Sequence, residues 1–377
     1  MVGIEEKNLI ILHATIGFGG GVGTVIRNLV EYQLGLGCRV GIIYPKWERN
    51  FNKLNGFGCN VEKYPVDVIR VKGLNQIQGL PLMKLYNDLK IKNKKSQIIL
   101  HAHNPVSVGL FRNIANLPLI CTIHGVNTVD SGSSQLITNR ILLRLMRANH
   151  CMVAVSNDVS NHYNRVLGQV YIKCILNGVK IEPIRNQYSF EKFTIGYIAD
   201  LNELKGWRLL VEAYSLLDTS YKNKINLVLA GGGDQIEEFN NFVSSRKLDE
   251  NIKYLGVVDN AGDTLIPNLD LVILPSKSEG LGLVLIEALA NKVPILATKV
   301  GGIPEVLIEG KNGFFVERNP EDIARKIVEL YEDKALYRNL SKNAWDTYNQ
   351  KFTLEKMGDS YLDLYKGIEN TNGKREG

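Results

Sequence analysis

The sequence predicts an α/β protein built as two doubly wound parallel-sheet domains. Three observations carry that expectation. Short, nearly unbroken apolar runs alternate with helical patterns through both halves of the chain, as strands buried on both faces and their crossover helices do. The chain has 377 residues, long for one domain and comfortable for two that each bury a core. A polar, aperiodic stretch at 180–192 lies between the halves and reads as a linker.

In the first half the expected strands are 8–14, 39–44, 97–101, 119–124, 151–155 and 170–176, with helical patterns such as 23–36 and 135–148 between them. The second half repeats the alternation at 193–199, 226–230, 252–255, 269–275, 293–298 and 313–316. A last helical stretch, 354–368, precedes a polar tail. The expected parts are therefore 1–180, 181–352 and 353–377, with ligands in crevices at the carboxyl ends of the strands.

Composition narrows the class. Hydrophobic residues make up 45% and charged residues 22%, ordinary for a soluble globular protein. No apolar run reaches a membrane span, and the start, MVGIEEKNLIILHA, carries acids where a signal peptide carries basic residues. The five cysteines, Cys38, Cys59, Cys121, Cys151 and Cys174, include no Cys-x-x-Cys pair. They read as reduced thiols, and the compartment as cytoplasmic. Net charge is +6. Lys84, Lys90, Lys92, Lys94 and Lys95 cluster, and Arg140, Arg144 and Arg147 recur along an apolar helical pattern. That stripe suits either a helix lying on an anionic membrane surface, peripheral at its inner face, or a core helix whose arginines face water. No basic platform interleaved with aromatics is present, which argues against nucleic acid as a partner.

The chemistry concentrates in SKSEGLGLVLIE, residues 276–287. It follows an apolar run, LDLVILP, and passes through a glycine turn into a helical pattern from Leu283. A buried strand, a glycine turn and a helix start make an anion site, because the free amides and the macrodipole of the first turn favour negative charge. Gly280, Leu281, Gly282 and Leu283 would offer their backbone to a phosphate. Glu279 lies in the turn and Glu287 further up the helix, about 7–8 Å along its axis from Gly282. Carboxylates so placed accept hydrogen bonds from sugar hydroxyls. The pattern points to a nucleotide-diphosphate-sugar, with one acid on the transferred sugar and the other on the ribose.

Other motifs are less specific. The loop Gly17-Phe18-Gly19-Gly20-Gly21-Val22-Gly23 has no Gly-x-Gly-x-x-Gly register, and no acid ends the second strand, so a nicotinamide or flavin site is not expected. His101 and His103, two apart, share one strand face, but no further ligand completes a metal set in the sequence. His103 and Asn104 are expected to line a cleft wall, or to be structural.

The segment EGLGLVLIEALANKVPILATKVGGIPEVLIEGKNGFFV resembles the donor-binding half of the GT-B retaining glycosyltransferases, specifically the large family 4 group. With weaker matches elsewhere, the resemblance covers nearly the whole chain. It implies a GT-B fold, metal-independent sugar transfer with no cofactor, and a nucleotide-sugar donor, with UDP as the default base. The transferase would be of the hexosyltransferase type, acting on a glycan or lipid-linked acceptor in bacterial surface-polysaccharide synthesis. His124, before Gly125, resembles the family's histidine that meets the transferred sugar. Lys205 resembles the lysine that neutralises the leaving diphosphate. Gly20 and Gly21 fall in the loop that approaches donor phosphates and acceptor, and Asn177 opens an Asn-Gly-Val turn like the family's. One position departs: Asp200 stands where an arginine usually accompanies the lysine, so Arg208 or a group of the first domain would have to replace that cation. This departure keeps a non-catalytic partner subunit open as an alternative; a nucleotide-sugar epimerase is another.

Overall fold

The computed structural model describes residues 6–46, 61–66, 68–71, 74–77, 79–104, 118–126, 151–168, 171–181 and 192–372. The chain divides into two compact units, one of Met1–Gly178 with Leu354–Gly377 and one of Val179–Thr353. The arginine stripe at 140–147, Cys59 and most of the 180–192 stretch lie outside the described residues.

In the first unit the strands are β1 (Leu9–Ala14), β2 (Arg39–Pro45), β3 (Glu62–Val66), β4 (Val68–Val71), β5 (Leu74–Ile77), β6 (Gln97–His103), β7 (Leu119–Ile123), β8 (Cys151–Ala154) and β9 (Lys173–Cys174). Seven of them form one sheet in the order β3-β2-β1-β6-β7-β8-β9, every pair parallel. β4 and β5 form a separate antiparallel pair. All residues of β1, β6 and β7 are buried, as strands covered on both faces of a parallel sheet are. The strands β3, β4 and β5 were not among the sequence expectations. β3, EKYPV, is an edge strand, where charge and proline are tolerated and no apolar pattern need appear.

The helix after β1 spans Gly20–Gly35, three residues longer at its start than the apolar periodicity indicates, because its first two residues are exposed glycines. The helix Asn157–Leu167 is capped by Ser156, whose Oγ accepts from the Val159 amide. The helix Leu354–Asn372 belongs to this unit: the Tyr32 hydroxyl donates to Asp359, and Tyr361 and Tyr365 are fully buried. Lys84, Lys90, Lys92, Lys94 and Lys95 are all solvent-exposed.

The second unit has β10 (Phe193–Ile198), β11 (Ile225–Ala230), β12 (Ile252–Tyr254), β13 (Leu271–Leu274), β14 (Ile295–Ala297) and β15 (Gly313–Phe315). Its sheet order, β12-β11-β10-β13-β14-β15, again with parallel pairs throughout, is the doubly wound order with the switch between its first and fourth strands. Phe193, Tyr197, Trp207 and Tyr214 anchor the core on one face of this sheet. Each large apolar side chain buried there contributes about 1.5–3 kcal/mol. The helix Pro320–Glu332 starts with Asn319 accepting from the amides of Glu321 and Asp322, and with proline at its first position.

Candidate functional site

In an open parallel sheet the loops after the two strands at the switch point diverge and leave a crevice. In the second unit those strands are β10 and β13, and each is followed by one of the expected site loops. After β10, Asn202 folds back so that its Oδ1 accepts from the amides of Leu204 and Lys205 at 3.0 and 3.1 Å, an Asx-type turn that fixes the lysine backbone. The Lys277 amide donates to the Leu204 carbonyl at 2.6 Å, tying this loop to the one after β13.

Lys205 Nζ lies 2.6 Å from Glu279 Oε1, and Ser276 Oγ donates to the same oxygen at 2.9 Å. Ser276 is fully buried, and its carbonyl accepts from Thr298 Oγ1 at 2.6 Å. Two sites expected to serve different parts of a donor are thus in direct contact. Glu279 is also braced from behind by the downstream GGIPE motif. Gly301 has φ +54°, and a Cβ there would lie 1.8 Å from the Glu279 carbonyl oxygen. The Gly302 amide donates to that same oxygen at 3.3 Å. Only a glycine fits this contact and this backbone conformation.

The helix Leu283–Ala290 begins at Gly282, φ +81°, with no side chain capping its first turn. Glycine is required at 282 by that left-handed conformation. Leu281 is buried, so it can serve a ligand only through its backbone. Glu287 is half-buried on the helix, its side chain laid beside the backbone of Gly262. Asp200 is exposed, and its carbonyl accepts from the Tyr197 hydroxyl at 3.0 Å. Burial, helped by the charges of Glu279 and Asp200, pushes the Tyr197 phenol up. Arg208 has partners of its own in this structure. It pairs with Glu238 and stacks over Phe242, 4.3 Å from the ring centroid.

In the first unit the parallel register sets His13 of β1 beside His101 of β6. His103 of β6 is fully buried, as the structural of its two readings has it. Its Nε2 lies 2.9 Å from His13 Nδ1 and its Nδ1 lies 3.0 Å from His124 Nε2. His124, just past β7, is half-buried. Asn104 adopts φ +69° and its Oδ1 accepts from the His124 amide at 3.2 Å, so it holds the histidine's backbone. His101 bonds Tyr365 and Thr122, both at 2.8 Å. The ring atoms of His13, His101 and His103 are close enough to surround a metal ion. Every ring nitrogen of the three also has a hydrogen-bonding partner within the protein.

Desolvation holds all four imidazoles below the ordinary histidine range, His13 at about 4 and His101 and His103 well down. His124 is lowered by the same cause. Gly20 and Gly21 are exposed at the start of the helix after β1. Asn177 is buried, and its Oδ1 has no hydrogen-bonding partner among the described residues.

Three supporting residues escaped the sequence reading: His13, Gln33 and Asn202. His13 left a trace, a polar residue inside the apolar run LIILHA. Gln33 and Asn202 left none, since one reads as a helix residue and the other as a turn residue.

The family described as Glycosyl transferases group 1 matches residues 180–347, and Glycosyltransferase Family 4 matches residues 19–183. A protein in the cps region of Klebsiella pneumoniae is 31% identical, over 94% of this chain and 99% of that one. The N-acetyl-alpha-D-glucosaminyl L-malate synthase of Bacillus anthracis is 27% identical over 76% of this chain and 81% of its own length. Among solved structures, Anabaena HepE in complex with UDP and glucose superposes with a TM-score of 0.75 at 18% identity, covering 95% of this chain and 98% of that one. At that identity the likeness is one of fold, the GT-B glycosyltransferase fold.

Proposed function

This chain belongs to the group 1 glycosyl transferases of GT-B fold, and from that premise we propose that it is a retaining, metal-independent transferase using a nucleotide-diphosphate-sugar. The observation that carries this reading is the Lys205–Glu279–Ser276 contact at the ends of β10 and β13, together with the uncapped helix start at Gly282. Lys205 and the amides from Gly280 to Leu283 take the diphosphate, whose charge grows as the glycosidic bond breaks. Glu279 accepts hydrogen bonds from the transferred sugar and Glu287 from the ribose. His124 has the sugar-facing role that the family resemblance gives it, and Asn177, Gly20 and Gly21 stay as candidate substrate contacts.

Before donor binds, Lys205 is neutralised by Glu279. The diphosphate replaces Glu279 as the partner of the lysine, and the carboxylate is released to the sugar. Donor binding and arming of Glu279 are therefore one event. UDP is the favoured nucleotide. The acceptor is a glycan or lipid-linked hydroxyl of a bacterial surface polysaccharide, a reading supported by the Klebsiella relative from a cps region. The synthase from Bacillus anthracis, named for L-malate, makes a small hydroxy acid the rival acceptor class. The protein is assigned to the cytoplasmic side, peripheral to the membrane; no described helix is long and apolar enough to cross one.

The test is incubation with UDP-sugars and a panel of both acceptor classes in a chelator, with the product's anomeric configuration read by NMR. Transfer with the donor's configuration kept is expected. Inversion, or transfer only with a divalent cation, would refute the mechanism. Donor binding without any turnover would favour the non-catalytic partner subunit.

A further inference from the structure

We propose that Gln33 is a positioning residue that decides, through two buried histidines, which nitrogen of His124 carries its proton. Gln33 is buried on the helix Gly20–Gly35, and its Oε1 lies 2.8 Å from His13 Nε2. An amide oxygen only accepts, so His13 Nε2 must hold a proton. A neutral imidazole has one ring proton, which leaves His13 Nδ1 an acceptor. The partner at 2.9 Å, His103 Nε2, must then donate. By the same step His103 Nδ1 is an acceptor, and His124 Nε2 at 3.0 Å donates to it. His124 Nδ1 is left without a proton.

Each link is forced by the one before it, because no ring in the chain can hold two protons without becoming charged in a desolvated setting. The other end of the Gln33 amide supports the same order. Its Nε2 donates to the Tyr365 hydroxyl at 3.2 Å, which can donate to His101 Nδ1 at 2.8 Å. His101 Nε2 then donates to Thr122 Oγ1, and Thr122 to the Tyr361 hydroxyl at 2.9 Å. Two hydrogen-bonded files leave one amide, and turning that amide over would reverse every proton in both. The first acceptor is an amide and not a carboxylate, so the file is held neutral and its output is a tautomer, not a charge.

The consequence for chemistry rests on the sugar-facing role given to His124. In this tautomer His124 accepts a hydrogen bond from a substrate hydroxyl through Nδ1 and cannot donate one there. Gln33, a helix residue two histidines away, sets that preference.

The experiment is long-range proton–nitrogen NMR on the full chain labelled at histidine nitrogens, near neutral pH, with His124 assigned by its absence in His124→Gln. The wild-type protein is expected to show His124 with Nε2 protonated and Nδ1 bare. Gln33→Met is expected to give mixed tautomers at His124 and about a tenfold lower kcat, the scale of one lost hydrogen bond in the transition state. A wild-type His124 protonated at Nδ1 would overturn the proposal whether or not any variant folds. So would a Gln33→Met protein with the wild-type tautomer. A changed tautomer with unchanged transfer would instead refute the role given to His124 and leave the relay standing.

Discussion

Lys205 and Glu279 come from loops after two different strands, yet their charged atoms are 2.6 Å apart, and Ser276 holds the same carboxylate oxygen. The pair is part-buried, with side-chain exposures of 27% and 10%. A lysine proposed to meet a diphosphate thus has another anion as its partner in this structure. Under the proposed function a diphosphate competes with Glu279 for the lysine.

The first expectation concerns that exchange. Glu279→Gln removes the competing charge, so nucleotide binding should hold or tighten while transfer falls about 100-fold, the order seen when a transition-state contact is lost. Lys205→Met should weaken both. Steady-state transfer rates and nucleotide titrations on the two variants check this. Equal loss of binding and transfer in Glu279→Gln would contradict the role given to the carboxylate.

Asp200 supplies the second. It places a carboxylate at the loop where the related enzymes usually carry an arginine, while Arg208 pairs with Glu238 and lies over Phe242. Asp200→Arg should tighten donor binding about tenfold, since it swaps a repelling charge for an attracting one next to phosphate. The Kd for the nucleotide, measured at low and high salt, reports it. An unchanged or weaker Kd would show that Asp200 does not face the phosphates.

A third follows from the glycine wedged behind Glu279. Gly301→Ala meets both a left-handed backbone and a carbonyl oxygen 1.8 Å from the new Cβ. It should destabilise the second unit by about 2–4 kcal/mol and lower donor binding by moving the Glu279 loop. Denaturant unfolding with nucleotide titration measures both effects. A variant of wild-type stability would mean the loop relaxes freely.

The buried histidines give a pH dependence. His13, His101, His103 and His124 all lie below the usual 6.5 in the folded protein, His13 at about 4. Between those values the unfolded chain binds protons that the folded unit excludes, so stability falls as pH drops from about 6.5 towards 4. Each such group contributes on the order of 1–3 kcal/mol. Denaturant midpoints followed across this window should fall, and less steeply in His13→Gln. A flat profile in the wild-type protein would contradict neutral burial.

Much of this was legible in the chain itself. The strands buried on both faces announced themselves, and β1, β6, β10 and β13 lie where their apolar runs do, with ends shifted by a few residues. Glu279, Gly282 and Glu287 stood out because a backbone anion site calls for glycine and sugar hydroxyls call for acids beside it. What could not be read was contact between distant positions. That Lys205 pairs with Glu279 depends on which two strands flank the switch point. Gln33 looks like any polar helix residue until the sheet brings His13, His103 and His124 into line. His103 stayed open between two readings for the same reason: only the neighbouring strands show its side chain enclosed. β3 was hidden because edge strands need no apolar alternation.

The most direct measurement is calorimetric titration of UDP into the wild-type protein and Lys205→Met, both in a chelator. Binding to the wild type without metal, weakened about 100-fold in the variant, is the expected result. No binding by the wild type, binding only with a divalent cation, or equal binding by both proteins would contradict the account.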